Sequence, residues 1–417
     1  MWPAGRRRPG RGRGGINWGR VMTLRTLIMT LPPYDGGVPA KTHWLCEALR
    51  ARGHDLTVAY YATFGQESDL NAPSWTLLMG RRPRCRIGTC FGDVRSVAVG
   101  SWLPELEFTY YIPSARWSEL IASHDRHVAV GGQVSISYPL AIAGIPHLIW
   151  CASSVDGDRT DRVRTAMWPR RLIDGVFIAP RLHSMERRIL SGVGRIYGVS
   201  RYTARALGHE GDGRVGHLPI PVDTAALTPP ECPPRPGMIG FAGRLNDPRK
   251  NVATLIAAVA RARGRDHNLR LKAVGAAPDQ SLRAAVRDSG LDDFVDFPGE
   301  IDRERLIEFY REIDLFVIPS HQEGLCIAGI EAMACGVPVV STRCGGPEDY
   351  VRPGETGVLV GLSPDEIAEG IISVVRDRRL RTRLSQGART VAENEYSPTT
   401  FWQKLDSAWR AVWNEDL

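Results

Sequence analysis

Short apolar runs and longer amphipathic stretches follow one another along most of the chain. In the first half, the apolar runs have the length of buried strands, and 40–52, with Trp44, Leu45 and Leu49 on one face, predicts a helix. A further helix is predicted from Arg201. The predicted strands are 24–30, 56–61, 96–100, 128–131, 147–151 and 195–200. Helices that interleave with apolar strands predict a parallel sheet covered on both faces.

The second half alternates more cleanly between the two kinds of element. Its predicted strands are 238–242, 269–274, 294–297, 315–318 and 337–341. Its predicted helices are 252–263, 281–289, 303–311, 327–334, 364–376 and 379–395. A final segment places Trp402, Leu405, Trp409 and Trp413 at helical spacing, and we expect these side chains to lie in the core.

A proline-crowded segment, 219–236, separates the two halves and can hold neither a helix nor a central strand. We interpret it as an interdomain linker. The chain of 417 residues is long enough for two cores. The pattern therefore predicts an α/β protein with two Rossmann-like domains, 22–218 and 237–395, with 396–417 packing back on the first.

Composition changes this picture mainly at the amino terminus. The net charge is +7 and the pI is about 9.1, but many of the basic residues lie in a Gly/Pro/Arg segment without acidic residues, namely Arg6, Arg7, Arg8, Arg11, Arg13 and Arg20. We expect 1–21 to be a disordered basic tail, with Met22 as the natural start. A nucleic-acid partner is not expected, because no recognition module follows the tail.

The chain has no apolar run long enough for a membrane span and no secretory signal, which favours a cytoplasmic protein. Its eight cysteines form no Cys-x-x-Cys pair, which argues against a zinc site and a disulfide framework.

Two basic residues follow the strand predicted at 238–242. Arg244 and Lys250 stand on a loop just before a helix amino terminus, where free amides and the helix dipole favour an anion. A guanidinium can bind a diphosphate through two parallel hydrogen bonds, and an ammonium adds a point charge. A solvated basic loop is the alternative interpretation.

Two carboxylates flank the next informative loop. Glu323 precedes the helix predicted at 327–334 and Glu331 lies inside it, so their carboxylates are expected on the order of 10 Å apart, with the amides of 324–326 between them. That spacing suits a long ligand such as a nucleotide sugar. The apolar neighbours of Glu331 indicate that it is paired or bound, while capping of the helix is an alternative role for Glu323.

Together these segments resemble the retaining glycosyltransferases of the GT-B fold with the Glu-x7-Glu motif, glycosyl transferases group 1. The resemblance covers nearly all of 237–395. Its motifs are Gly243-Arg244-Leu245, Lys250-Asn251, Pro319-Ser320, Glu323-Gly324-Leu325-Cys326, Glu331-Ala332-Met333-Ala334, Gly336-Val337-Pro338-Val339-Val340 and Gly345-Gly346-Pro347-Glu348. Supporting fragments are Gly36-Gly37, Gly53-His54, Gly198-Val199-Ser200 and Pro221-Val222-Asp223. The resemblance implies two domains facing across a cleft, with the acceptor on the first domain and the nucleotide-sugar donor on the second.

The resemblance also implies roles for individual residues. Arg244 and Lys250 would hold the donor diphosphate and stabilise it as the leaving group. Glu331 would bind the ribose hydroxyls. The transferred sugar and the distal phosphate would contact Glu323 and the backbone of Gly324, Leu325 and Cys326. The base would face Gly299, Glu300 and Ile301. Gly36 and Gly37 would let the first loop approach the donor phosphates or the acceptor, although a plain turn explains them nearly as well.

One position departs from the family pattern. Relatives commonly carry a histidine six residues beyond the proline at 146, and this chain has Ala152 there, which leaves the choice of donor sugar open. Asp156-Gly157-Asp158 matches a metal-binding Asp-x-Asp motif, but we interpret it as a surface turn. We therefore expect no metal and no cofactor, with Arg244 and Lys250 in the role of a divalent cation.

The expected reaction is transfer of a hexose-type sugar from a UDP or GDP sugar to a glycan, lipid-linked or small acceptor. Two alternatives share the fold: a nucleotide-sugar 2-epimerase and a non-catalytic sugar-nucleotide-binding relative. An NAD-dependent dehydrogenase is disfavoured, because no Gly-x-Gly-x-x-Gly follows the strands at 24–30 and 238–242. Residues 168–190 combine apolar side chains with arginines, which fits a peripheral membrane contact, a rim for a phosphorylated acceptor or an amphipathic helix on the core.

Overall fold

The computed structural model describes residues 23–417 except 35, 158, 160–166, 209–212, 233 and 235. The predicted tail, 1–21, lies outside the described residues. The strands of the first sheet are β1 (Arg25–Thr30), β2 (Asp55–Tyr61), β3 (Cys85–Cys90), β4 (Val94–Val99), β5 (Arg126–Gly131), β6 (Leu148–Cys151), β7 (Arg195–Gly198) and β8 (Val215–His217). The strands of the second sheet are β9 (Met238–Ala242), β10 (Arg270–Val274), β11 (Val295–Gly299), β12 (Leu315–Ile318), β13 (Val339–Thr342) and β14 (Gly357–Val360).

Helices connect and cover these strands. In the first half they are α1 (Gly37–Arg50), α2 (Ala115–Ala122), α3 (Tyr138–Ala143), α4 (Trp168–Ile173), α5 (Ala179–Leu190) and α6 (Arg201–Leu207). In the second half they are α7 (Val252–Arg263), α8 (Gln280–Asp288), α9 (Arg303–Glu312), α10 (Ile327–Ala334), α11 (Pro364–Arg376), α12 (Arg378–Tyr396) and α13 (Pro398–Trp413). The predicted α/β class with two Rossmann-like domains is confirmed. Among the described residues, no helix is both long and apolar enough to cross a bilayer.

The order of strands places one switch point in each sheet. The first sheet runs β3-β4-β2-β1-β5-β6-β7-β8 and the second runs β11-β10-β9-β12-β13-β14. In the second sheet the chain turns back between β9 and β12, and in the first between β1 and β5. Open parallel sheets bind ligands outside the carboxyl ends of the strands at such a switch point. The loops after these four strands are therefore the positions where a ligand is expected.

The sequence pattern predicted a parallel sheet in the first half, and the structure differs from this at one edge. Its edge strand β3 pairs antiparallel with β4, from Cys85 opposite Val99 to Cys90 opposite Val94. All other pairs in both sheets are parallel among the described strands. A hairpin needs only a short connection, whereas parallel strands need a crossover. Residues Phe91–Asp93, between the two strands, are too few to form a helix.

The last helix, α13, packs against the first sheet. The Phe401 ring stacks on Trp150 of β6 with centroids 5.3 Å apart, and Trp409 meets the His54 ring edge-on at 5.1 Å. An ion pair joins Arg52 to Asp406 at 2.9 Å. The chain therefore crosses back from the second sheet to the first. The expectation that Trp402 lies in the core is wrong, because the buried stripe of α13 includes Phe401 instead.

Candidate active site

A cleft of about 1120 Å³ lies between the two sheets, and both switch points open into it. Its walls include the loops after β1 and β5 on one side and the loops after β9 and β12 on the other. The predicted site residues that line this cleft are Gly36, Gly37, Arg244, Lys250, Glu323, Gly324, Leu325 and Cys326. Residues that lie far apart in the sequence thus meet because the carboxyl ends of parallel strands share one edge of a sheet.

Lys250 and Glu323 form an ion pair in the cleft. The Lys250 ammonium lies 2.7 Å from Glu323 Oε1, and both side chains are largely buried. Ser320 Oγ donates to the same carboxylate oxygen at 2.7 Å. Burial alone would lower the pKa of Lys250, but the negative charge and hydrogen bond of Glu323 outweigh it and raise the pKa. Lys250 therefore remains a cation at neutral pH, next to the amino terminus of α7.

Arg244 is held differently from Lys250. Its guanidinium is mostly exposed and lies 2.8 Å from Asp247 Oδ2. Asp247 also accepts from Arg249 at 3.0 Å. Burial would raise the pKa of Asp247, but the hydrogen bonds and charges of these arginines lower it. Asp247 thus stays ionised and orients the exposed Arg244 guanidinium at the wall of the cleft.

The loop that carries Glu323 has a fixed backbone. Glu323 N donates to Cys344 O at 2.8 Å, and Gly346 N donates to Glu323 O at 2.9 Å. Cys326, at the amino terminus of α10, has a φ of 62°, which residues other than glycine seldom adopt. Tyr350 Oη donates to Cys326 O at 3.0 Å. Such conformations persist only where the surroundings impose them, and they cluster at functional sites.

Gly324 lies directly against the first domain. A β-carbon at this position would stand 2.3 Å from the carbonyl oxygen of Ala152. Thr203 Oγ1, on α6, donates to that same oxygen at 3.0 Å and reaches Gly324 O at 3.5 Å. Ala152 also lines the cleft. The position at which relatives commonly carry histidine is therefore a tight contact between the two domains.

Glu331 lies in a second, smaller cavity of about 380 Å³ rather than in the main cleft. Ile220 and Ile327 line both cavities, so the two adjoin there. Tyr310 Oη donates to Glu331 Oε2 at 2.8 Å. Burial raises the pKa of Glu331, against the opposing effects of the Tyr310 hydrogen bond and the Arg303 charge. A long ligand in the main cleft would need to pass Ile327 to reach this carboxylate.

The remaining predicted residues lie at the edges of the site. Gly36 has a φ of 120°, which favours glycine, and a β-carbon on Gly37 would be 3.8 Å from Ile327 Cδ1. The first loop thus approaches the start of α10. As far as the described residues define the two cavities, Gly299, Glu300 and Ile301 line neither.

Lys41 is a functional candidate that the sequence analysis missed. Its side chain is fully buried in α1 and lines the cleft, where its ammonium donates to Gly131 O at 2.7 Å and to Trp150 O at 2.9 Å. Burial lowers the pKa of Lys41 to about 7, although the neighbouring Cys151 raises it slightly. A signal was present, because Lys41 and Leu45 are four residues apart on the apolar face of the predicted helix.

The Asp-x-Asp match is only partly described. Asp156 Oδ1 lies 2.8 Å from His183 Nε2, and Asp158 lies outside the described residues. Within the described part of the chain, no group of three or more His, Cys, Asp or Glu side chains is arranged to hold a metal ion.

Comparison with known proteins agrees with this arrangement. Residues 229–391 match the family described as glycosyl transferases group 1. A D-inositol 3-phosphate glycosyltransferase of Acidothermus cellulolyticus is 42% identical over 110 residues, which are 26% of this chain and 24% of that protein. The matches to the curated relatives compared span between 24% and 58% of the relatives' lengths.

Solved structures resemble the whole fold. Sucrose-phosphate synthase from Thermosynechococcus elongatus has a TM-score of 0.67 at 20% identity, over 94% of this chain and 99% of that one. The Anabaena protein HepE in complex with UDP-glucose has a TM-score of 0.69 at 17% identity, over 93% and 100%. At these identities the likeness shows the GT-B fold alone. The sequence match lies on the domain that carries Lys250 and Glu323, and the fold agrees across both domains; residues 229–391 therefore form a glycosyl transferases group 1 domain within a GT-B fold.

Proposed function

We propose that this protein is a retaining glycosyltransferase that moves a hexose-type sugar from a nucleotide diphosphate sugar to an acceptor, without a metal. The observation that carries the proposal is the buried Lys250–Glu323 pair at the switch point of the second sheet, beside Arg244. It puts two cations and one carboxylate at the position where an open parallel sheet binds its ligand. A diphosphate that carries a sugar matches this combination of charges.

The two cations have complementary tasks. Lys250 is a fixed charge, held by Glu323, whereas Arg244 is exposed and can close on the diphosphate through two parallel hydrogen bonds. As the bond between sugar and diphosphate breaks, negative charge grows on the leaving phosphate oxygens. Pre-organised cations stabilise that charge more strongly than water does. Both residues thus contribute mainly to the transition state.

The two glutamates bind the ends of the donor. Glu323 faces the transferred sugar, and the backbone of Gly324–Cys326 contacts the distal phosphate. The ribose passes Ile327 and reaches Glu331 in the smaller cavity, where Tyr310 fixes the carboxylate. The base lies toward Gly299–Ile301, at the carboxyl end of β11. The order of Glu323, the 324–326 backbone and Glu331 along the two cavities follows that of the sugar, diphosphate and ribose of a nucleotide sugar.

The relatives suggest which substrates to test first. HepE holds UDP and UDP-glucose in its crystal structures, so uridine diphosphate sugars are the first donors. Several curated relatives are named D-inositol 3-phosphate glycosyltransferases, so inositol phosphates are among the first acceptors.

The test is an assay of the purified protein with UDP and GDP sugars, with and without a panel of acceptors. A glycosyltransferase forms a glycosylated product only when the acceptor is present. Conversion of the donor to its 2-epimer without an acceptor would favour the epimerase alternative. Binding of donors without turnover across the panel would favour the non-catalytic relative.

Glu331→Ala probes the donor geometry in the same assay. It removes a hydrogen bond far from the reacting carbon, so we expect KM for the donor to rise about tenfold, corresponding to about 1.4 kcal/mol of lost binding, with a smaller change in kcat. Glu308→Ala, at an exposed glutamate of α9 that lines neither cavity, is the matched control. A Glu331 variant with an unchanged donor KM would show that the ribose does not bind there.

A further inference from the structure

Two apolar segments of the first domain are exposed. In the segment 74–79, Trp75 is 57% exposed, Met79 is 81% exposed and Leu78 is fully exposed. In the segment 167–177, Trp168 is 76% exposed and Phe177 is 61% exposed. Helix α4 has no buried residue at all. Large apolar side chains that cluster at the surface of a protein mark an interaction site more often than single ones do.

Both segments form hydrogen bonds to Glu105. The Glu105 carboxylate accepts from Ser74 N at 2.8 Å and from Ser74 Oγ at 3.0 Å. The Glu105 carbonyl oxygen accepts from Arg170 Nη1 at 3.2 Å. One residue thus joins the start of the first segment to helix α4 in the second. The two segments therefore lie on either side of Glu105, and we call them together the Trp75/Trp168 surface.

Basic residues predominate in the two stretches that carry this surface. No acidic residue occurs between 70 and 92, and Asp174 is the only one between 167 and 185. Asp174 is buried and forms an ion pair with Arg159. The basic residues in these two stretches are Arg81, Arg82, Arg84, Arg86, Arg170, Arg171 and Arg181. Two carboxylate contacts reach these stretches: Glu67 and Asp69 pair with Arg86, and Glu105 accepts from Ser74. The other arginines lie among exposed apolar side chains, and this combination matches a partner with an apolar interior and an anionic surface.

Helix α5, which follows this segment, shows what packing of an amphipathic helix on the core looks like in this chain. In α5, Leu182, Met185 and Ile189 are buried against the first domain, as expected for an amphipathic helix on the core. Within 167–177 only Asp174 is buried, and the next buried residue is Ile178. Of the three interpretations left open for 168–190, core packing therefore accounts for α5 but not for α4.

We propose that the Trp75/Trp168 surface docks this protein onto the surface of an anionic phospholipid bilayer. Tryptophan rings and the other apolar side chains enter the boundary between headgroups and acyl chains, and the arginines contact the lipid phosphates. Glu105 and Arg170 also line the cleft, so docking places the first domain's side of the cleft beside the bilayer. The proposal rests on this surface and not on the proposed glycosyl transfer.

The experiment is co-sedimentation of the full chain with vesicles of phosphatidylcholine alone or with an equal part of phosphatidylglycerol. We expect binding to the anionic vesicles at least tenfold tighter than to the neutral ones, and weaker binding in 0.5 M salt because screening reduces the contribution of the arginines. The double variants Leu78→Ser/Met79→Ser and Trp168→Ser/Phe177→Ser should each weaken binding to anionic vesicles at least tenfold. All four side chains are exposed, so the thermal unfolding temperature should not change.

Trp402→Ser is the matched control, because Trp402 is a partly exposed tryptophan on α13, away from this surface. It should bind vesicles like the wild type. Equal binding of all variants, or no binding to anionic vesicles, would overturn the proposal. A wild type that self-associates in sedimentation velocity, does not bind vesicles and becomes monomeric in the double variants would assign the surface to a second copy of the chain instead.

Discussion

At the scale of single residues, Arg244 and Lys250 occupy the same loop but contribute differently to the free energy of unfolding. Arg244 is mostly exposed, whereas Lys250 is buried and paired with Glu323. Removing one partner of a buried ion pair leaves the other charge uncompensated, which typically costs about 3–5 kcal/mol. Removing an exposed charge typically costs well under about 1 kcal/mol. Activity and stability should therefore separate between the two positions.

We expect Arg244→Ala and Lys250→Ala each to lower turnover by roughly 100-fold, as for the loss of one pre-organised oxyanion donor. Only Lys250→Ala should also lower the urea midpoint. The double variant Lys250→Met/Glu323→Gln should recover much of that stability without recovering activity, because the uncompensated charge is gone. Arg261→Ala, an exposed arginine on α7, is the control. Wild-type rates in both alanine variants would contradict the assignment of the site.

Lys41 gives a prediction about pH. Burial lowers its pKa from 10.5 to about 7, so between about pH 7 and pH 10 the unfolded chain binds more protons than the folded protein. The free-energy cost of burying the charged Lys41 ammonium is fully present below about pH 7, and it diminishes as the pH rises from about 7 to 10. The free energy of unfolding of the wild type, relative to Lys41→Met, should thus rise by about 2 kcal/mol from pH 7 to pH 9. Urea unfolding at pH 7 and pH 9 measures this change. A constant difference in the free energy of unfolding between the wild type and Lys41→Met would show that Lys41 stays charged in the folded protein.

The candidate site was predictable only in part from the sequence. The motif residues Arg244, Lys250 and Glu323 stand on loops after apolar strands, and the sequence places them there without knowledge of the fold. Tyr310 could not be assigned to Glu331, because 21 residues separate them and their contact depends on how α9 packs. Asp247 was visible beside Arg244, but its role in orienting two arginines depends on the shape of the loop.

At the scale of elements, long periodic segments were predicted better than short edge strands. Helices α7, α10 and α11 begin and end where the pattern predicted. The strands β3, β8 and β14 were not predicted, and all three are edge strands with few buried residues. An edge strand has only one neighbour to pair with, so its sequence shows little of the continuous apolar run of a central strand.

Gly324 tests how tightly the β12–α10 loop meets the end of β6. A methyl group on Gly324 would overlap the Ala152 carbonyl oxygen. Gly324→Ala should therefore push the two domains apart, and it should leave the hydrophobic core of each domain intact. We expect at least tenfold slower transfer with the two sheets still folded, because small displacements of reacting groups lower rates strongly. Small-angle scattering should show a larger radius of gyration. Gly65→Ala, where a β-carbon meets no atom within 4 Å, is the control, and unchanged scattering and rate in Gly324→Ala would contradict the argument.

At the scale of the whole molecule, two switch points face one cleft, and the last helix ties the halves together. The number of sheets followed from the apolar pattern and the proline-rich segment. The order of their strands did not, because it depends on which crossovers pack best. Phe401 on Trp150 and Asp406 with Arg52 connect residues more than 250 positions apart. The spacing of the apolar residues in 396–417 predicted that this segment packs back on the first half, but not which residues it meets there.

The carboxylates that line the cleft bear on whether sugar transfer keeps or inverts the anomeric configuration. Each carboxylate that lines it among the described residues is already engaged: Glu323 by Lys250, Asp247 by Arg244 and Arg249, Glu107 by Arg159, and Glu105 by Ser74. A double displacement needs a carboxylate nucleophile close to the anomeric carbon, and here it would have to leave an ion pair or a hydrogen bond first. We therefore favour attack by the acceptor on the face from which the diphosphate leaves, with a donor phosphate oxygen taking the acceptor proton.

This mechanism predicts a product that keeps the anomeric configuration of the donor, and a rate that EDTA leaves within about twofold, because Arg244 and Lys250 neutralise the leaving group in place of a metal. Proton NMR coupling constants of the first-formed product measure the configuration, and initial rates with and without chelator measure the metal dependence. An inverted product would contradict same-face attack even if Arg244→Ala and Lys250→Ala were inactive. Loss of activity in EDTA that Mg²⁺ or Mn²⁺ restores would instead show that the two cations do not suffice and would direct attention to Asp156 and Asp158.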